Sequence, residues 1–210
     1  MGYQHPMTRF LRNNSLSLVF GLMFLVVLFA GQATSGYRVF NADQLEHGEH
    51  TVSFGKYLTT SHFGEATFEN WESEFLQMGS YVVLTIWLRQ RGSAESKPLD
   101  EEVDVDKPSQ RSWLYKNSLS LAFFTLFGLS FLAHAITGAH NFSSEQVAHG
   151  ESAVATMDYL RRAQFWFESL QNWQSEFLAV AAIVVLSIFL RQQGSPESKP
   201  VDMANAETPA

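Results

Sequence analysis

The residues of this chain with the strongest claim on chemistry come in matched pairs. Glu74 and Glu176 each follow a tryptophan, Trp71 and Trp173, by three positions inside the motif Asn-Trp-x-Ser-Glu-Phe-Leu, which begins at Asn70 and again at Asn172. That spacing puts acid and indole on roughly one helix face. A carboxylate just inside an apolar run can bind a cation or relay protons, because an ionisable group in lipid is expensive to keep. The plainer account is interfacial: these acids lie near water, where the positive end of a helix starting nearby favours an anion. A second pair is His47-Gly48-Glu49 and His149-Gly150-Glu151. If the copies met across a two-fold axis, His47, Glu49, His149 and Glu151 would form an imidazole and carboxylate set suited to zinc or another divalent metal. A histidine followed by glycine is also how helices commonly end, since the cation suits the dipole and the glycine suits the turn. His134 is the only histidine within a long apolar run; its counterpart is Gly31, and a haem held between two histidines would need an imidazole from another helix. The third pair, Gly-Ser-x-Glu-Ser-Lys-Pro at 92–98 and 194–200, lacks the order of a phosphate loop and is expected to stop a helix and open a solvated linker.

The elements that must position these residues are themselves duplicated. Asn14-Ser15-Leu16-Ser17-Leu18 returns as Asn117-Ser118-Leu119-Ser120-Leu121, an offset of 103, whereas from Gly36 with Gly138 onward the offset is 102. The first copy therefore holds one residue more. Each copy carries an apolar run near its start and another near its end. Leu16 to Thr34 and Leu119 to Thr137 contain no Asp, Glu, Lys or Arg, and about 19 residues reach roughly 28 Å, close to the hydrocarbon thickness of a bilayer. The second runs are shorter between acid and arginine, but counted from Trp71 and Trp173, where an aromatic belt would lie, they extend over 71–88 and 173–190. The expected fold is all-α and polytopic, with four transmembrane helices as two tandem hairpins. The spans fall at about 16–34, 71–88, 119–137 and 173–190. The corresponding division is a cytoplasmic N-terminus at 1–15, a first hairpin over 16–91, an acidic linker over 92–111, a second hairpin over 112–193 and a disordered tail over 194–210. Asp100 to Asp106, with five acids in seven residues, is expected to be disordered too. A cleaved leader at the N-terminus is disfavoured because the same segment recurs in mid-chain.

Orientation follows from charge. Ten of the fourteen Lys and Arg lie on the side of both termini and the central linker; only Arg38, Lys56, Arg161 and Arg162 lie opposite. The positive-inside rule then makes both termini cytoplasmic and leaves the acidic connecting segments 35–70 and 138–172 outside. In those segments Asn41 with Gln44, and Ser143 with Gln146, carry the pattern of a capping box and predict a short helix starting there twice, ended by Gly48 and Gly150. Long helices are predicted from about Ala66 to Leu88 and from about Gln164 to Leu190. The absence of cysteine excludes disulfides and thiolate metal sites, and a net charge of -7 with no basic stripe excludes nucleic-acid binding.

The motif Asn-Trp-x-Ser-Glu-Phe-Leu at 70–76 and 172–178, with the Leu-Arg-Gln-x-Gly-Ser-x-Glu-Ser-Lys-Pro tail at 88–98 and 190–200, resembles a bacterial family of tandem-hairpin integral-membrane proteins without an assigned activity. The resemblance covers essentially the whole chain. It implies a four-helix membrane fold in the bacterial inner membrane and carries no catalytic residue across. From this stage the expectation is a non-enzymatic envelope protein that works structurally or through a partner, with the lipid bilayer and a homo-oligomer or another membrane protein as its contacts and no cofactor. A small channel or transporter component using Glu74 and Glu176 stands as the alternative, and a metal or redox enzyme as the third reading.

Overall fold

A computed structural model describes residues 6–100 and 110–209, so the acidic stretch expected to be disordered lies, apart from Asp100, outside the described residues. All regular structure among these residues is helical. The chain divides into two compact units, the first ending at Gly64 and the second running from Glu65 to the C-terminus.

In the first unit α1 (Pro6–Asn13) leads into α2 (Ser15–Val26), a π-helical stretch (Val27–Ala33) and α3 (Thr34–Glu46), which together form one long rod from Ser15. The π stretch accounts for the changed offset of the repeat. A π turn is a single-residue insertion into an α-helix, and it absorbs the one residue by which the first copy exceeds the second. At its end, Ala33 matches Ala135, both buried, so the residue standing for His134 in copy one is Gln32, not Gly31. A short α4 (Phe54–Tyr57) follows, and Tyr57 packs over Gly36, where a Cβ would stand 2.1 Å from the tyrosine oxygen.

The second unit begins inside α5 (Ser61–Trp87) and adds α6 (Trp113–Lys116), α7 (Ser118–Ala148), α8 (Thr156–Tyr159) and α9 (Ala163–Phe189). Gly138 repeats the close approach of Gly36, with Tyr159 at 2.8 Å from a would-be Cβ. Glu72 and Gly79 of α5 meet His134 and Phe123 of α7, so these two run antiparallel. Glu72 and Gln77 meet Trp173 and Glu176, so α5 and α9, the equivalent helices of the two copies, run parallel.

Two expectations need correction. No new helix starts at Asn41 or Ser143: nothing between 35 and 46, or between 137 and 148, breaks the backbone, so each long helix continues to Glu46 or Ala148. The would-be caps serve the following loop. The Asn41 amide bonds both the N–H and the carbonyl of Val52, and the Ser143 hydroxyl does the same for Val154. Gly48 and Gly150 then end the helices at φ of +76° and +77°, in the left-handed region that glycine tolerates.

The number of spans also differs. Among the described residues three helices are long and apolar enough to cross a membrane, Ser15–Glu46, Ser118–Ala148 and Ala163–Phe189, and not four. The remaining long helix, α5, has 27 residues but carries Glu72, Gln77, Gly79 and Ser80 where α9 has Gln174, Ala179, Ala181 and Ala182. Its lower hydropathy comes from these polar and small residues, of which Glu72 and Gly79 are buried with Ser73 while Gln77 and Ser80 are partly covered.

Each copy's exit from its last helix is built alike. Arg89 and Arg191 fold back to donate to the final carbonyls of their own helices, at Thr85 and Ile86 and at Ser187 and Ile188. Ser96 and Ser198 accept from the N–H of Gln90 and Gln192. The segment after Pro200 closes around Lys199, whose ammonium donates to the carbonyls of Ala204, Asn205 and Glu207.

Candidate functional site

Four carboxyl groups of the second unit gather around His134. This side chain and that of Glu72 are both 0% exposed, and a buried ionisable group survives only when paired or put to use. Helix α5 supplies three acids, Glu65, Glu69 and Glu72, whose spacing of four and three residues aligns them on one face. Helix α7 supplies His134, and α9 supplies Glu168, three residues after Phe165. The ring of Phe165 lies 4.8 Å from the imidazole at a 32° tilt and, with Ala135, Ala139 and Tyr159, forms the apolar wall of the site.

The two imidazole nitrogens face different acids. Nδ1 lies 3.2 Å from Glu72 Oε2, and Nε2 lies 3.4 Å from Glu168 Oε2. Glu72 is fixed from its other oxygen, which accepts from the Trp173 indole N–H at 3.3 Å. Its Oε2 and the facing Nδ1 are close but out of hydrogen-bond alignment, so neither has a hydrogen-bond partner among the described residues. Glu168 is held more fully: the Tyr159 hydroxyl donates to its Oε2 at 2.6 Å, and the Gln164 amide donates to its Oε1. Tyr159 also lies 3.3 Å from Glu65 Oε1. A phenol has one proton, and it is committed to Glu168. Glu65, its carboxyl pushed up to about 7 by burial and by the charge of Glu168, can donate its own proton to the tyrosine oxygen. Burial likewise raises Glu69. Burial and the Glu168 hydrogen bond hold the Tyr159 hydroxyl protonated. Glu65, His134 and Glu168 each offer one ligand atom, and these atoms lie within 4.8 Å of one another.

The pairs singled out from sequence fall elsewhere. His47 and Glu49 belong to the first unit, His149 and Glu151 to the second. Each histidine caps its own helix, with Nδ1 on the carbonyl of Asp43 or Glu145 at 3.0 and 2.8 Å. Glu74 is exposed, while Glu176 is partly covered and close enough to Glu74 for the two charges to repel. Asn70 and Asn172 bond the carbonyls one turn back, at Ala66 and Glu168, and Trp71 stands edge-on to Phe68. Of the residues named from sequence for a site, three reach the cluster: His134 at its centre, Trp173 through Glu72, and Asn172 through the carbonyl of Glu168.

The cluster was missed because its members differ between the copies. Glu65, Glu69, Glu72 and Glu168 correspond to Phe167, Gln171, Gln174 and Ala66, and His134 to Gln32. The available signal was the row of three acids on one face of a helix that otherwise turns apolar.

Fold and site together define a class: an all-helical protein with three helices able to cross a membrane and a charged histidine–carboxylate interior. The chain belongs to the family described as Domain of unknown function (DUF6766), whose model matches residues 7–210. No curated protein matches the chain, and no solved structure does.

Proposed function

We propose that this chain is a four-span protein of the bacterial inner membrane, with both termini cytoplasmic, whose working part is the interior around His134, a site that takes up and releases a cation at the outer end of the spans. One observation carries the reading: a fully buried His134 and Glu72 lie against each other among four carboxyl groups. Four acids and one imidazole leave the interior short of positive charge even with His134 protonated, so it must hold further protons or another cation. The fourth span is α5. Glu72 meets α7 and Gln77 meets α9, so a count of hydropathy sums inward polar groups with the outer face. Placement of the cluster outside the cytoplasm follows from the ten cytoplasmic-side Lys and Arg.

Two measurements test this. The chain has no cysteine, so Glu46→Cys and Ser152→Cys should react with an impermeant thiol reagent from outside, and Asp202→Cys only after the membrane is opened; the reverse pattern removes the topology. A cation bound only by the folded state stabilises it. Protons or one of Na⁺, K⁺, Mg²⁺, Mn²⁺ and Zn²⁺ should shift unfolding of the wild type more than that of Glu72→Gln or Glu168→Gln, and identical responses in all three proteins would refute the site.

A further inference from the structure

Resting on that cation-site reading, we infer that the cation is a first-row divalent transition metal, bound by Glu65, by His134 through Nε2 and by Glu168, with Glu72 as the positioning residue on the far side of the imidazole. The donor set is one imidazole nitrogen and carboxylate oxygens, which suits zinc, manganese or iron and is unlike the all-oxygen cages of calcium. The geometry is near what binding needs. The three ligand atoms lie within 4.8 Å of one another and the His134 to Glu168 pair is already at 3.4 Å. Atoms each about 2 Å from a shared ion stand no more than about 4 Å apart, so rotations of about an ångström close the site. Tyr159, which donates to Glu168 at 2.6 Å and lies 3.3 Å from Glu65, stands beside that space and holds the Glu168 carboxylate in place.

The second observation is on the other nitrogen. A metal on Nε2 requires the proton on Nδ1, and a ligating histidine commonly donates that proton to a carboxylate that fixes ring and tautomer. Glu72 is in that position, fully buried, 3.2 Å from Nδ1, with its other oxygen pinned by Trp173. Both facing atoms lack a hydrogen-bond partner among the described residues. A small rotation of the imidazole, of the kind that brings Nε2 onto an ion, would align Nδ1–H with Glu72. The unaligned pair is what an orienting contact looks like before the ring is fixed by its metal. Phe165 on the ring face, in one apolar cluster with Ala135 and Ala139, keeps water from the imidazole.

The full chain, purified in detergent and stripped with a chelator, should bind Co²⁺ or Zn²⁺ at one ion per chain by calorimetry, with Co²⁺ giving a d–d absorption band that reports nitrogen and oxygen ligands. Glu65→Gln and Glu168→Gln should each weaken binding by at least about 10-fold, and Glu72→Gln by about 10- to 100-fold with the Co²⁺ band shifted but present. Glu74→Gln with Glu176→Gln should bind as the wild type does. If His134→Ala does not fold, Glu65→Gln, at the partly exposed edge, carries the test. Absence of saturable binding by the folded wild type, or unchanged affinity in Glu168→Gln, overturns the inference. Should protons alone stabilise the wild type differently from Glu168→Gln, the metal assignment fails and the cation site stands. Should neither protons nor metal do so, both fail.

Discussion

Glu72 and His134 offer a perturbation that separates a charge kept for binding from one kept for stability. Glu72→Leu removes the carboxylate facing His134 Nδ1 and the acceptor of the Trp173 N–H. Both partners are fully buried, so water does not replace the lost oxygen, and removing one member of such a pair costs about 3–5 kcal/mol. Adding His134→Leu takes away the imidazole that Glu72→Leu leaves with Glu168 as its one facing acid. Glu168 then keeps Tyr159 at 2.6 Å and Gln164, so the second substitution leaves no bare charge at the centre. Buried pairs exchanged for apolar residues of similar volume are often neutral or more stable, and the double variant should regain at least about 2 kcal/mol over Glu72→Leu. The assay is a double-mutant cycle: unfolding of metal-free protein in mixed micelles by rising SDS, followed through tryptophan fluorescence. A double variant no more stable than Glu72→Leu would mean that the pair is a net structural tie, and the case for charge retained at a cost in stability would collapse.

Glu65 sets a pH dependence of definite sign. Its carboxyl stands at about 7 in the folded protein against 4.5 for the ordinary group, so the folded state holds the extra proton and stability falls as pH rises from about 4.5 to about 7. The loss is about 3 kcal/mol at about 1.4 kcal/mol per unit, and in chelator the wild type minus Glu65→Gln difference should follow it; equal slopes in the two proteins would contradict the burial argument. Gly138→Ala should cost about 1–3 kcal/mol by overpacking, because its Cβ would meet Tyr159 at 2.8 Å and Glu65 at 2.9 Å. Gly128→Ala, with nothing within 4 Å, should be neutral or slightly stabilising in the same unfolding assay. Deleting Leu28 from the π stretch should return that helix to α geometry and leave the first unit folded by circular dichroism. Deleting Phe127 turns everything after it by about 100° and should abolish the folded second unit. Lys199→Met should free the segment that its ammonium gathers, read as faster trimming by carboxypeptidase.

What the sequence disclosed was periodic or terminal. Helix α5 begins at Ser61 and α9 at Ala163, against expected starts of about 66 and 164, and both end within one residue of the expected position. The ends of α5 and α9 were readable because Arg89 and Arg191 act on their own helix within a few residues, as Gly48 and Gly150 do for the helices ending at Glu46 and Ala148. Asn41 and Ser143 misled for the opposite reason: the box pattern is local, but the partner they take is 11 positions away at Val52 and Val154. The expected span at 71–88 is not among the helices apolar enough to cross, because α5 carries Gln77, Gly79 and Ser80 where α9 has Ala179, Ala181 and Ala182. The site itself needed three helices to meet, and nothing in one segment announces that His134 will lie between Glu72 and Glu168.

Duplication explains why the doubled residues were poor guides. A residue kept in both copies, such as Gly36 with Gly138 or Tyr57 with Tyr159, serves the hairpin that each copy must build, and the same tyrosine passes over the same glycine twice. A site inside the product is under no such requirement. The acids come from α5 of the first copy, where the second has Phe167, Gln171 and Gln174; the histidine and the remaining acid come from the second, where the first has Gln32 and Ala66. Repeating the full set in both copies would put twice as many carboxylates into an interior already short of positive charge, and each added buried acid would cost several kcal/mol unless paired. Divided as they are, neither hairpin holds more than part of the set, and His134 meets Glu72 only because the two copies are one chain.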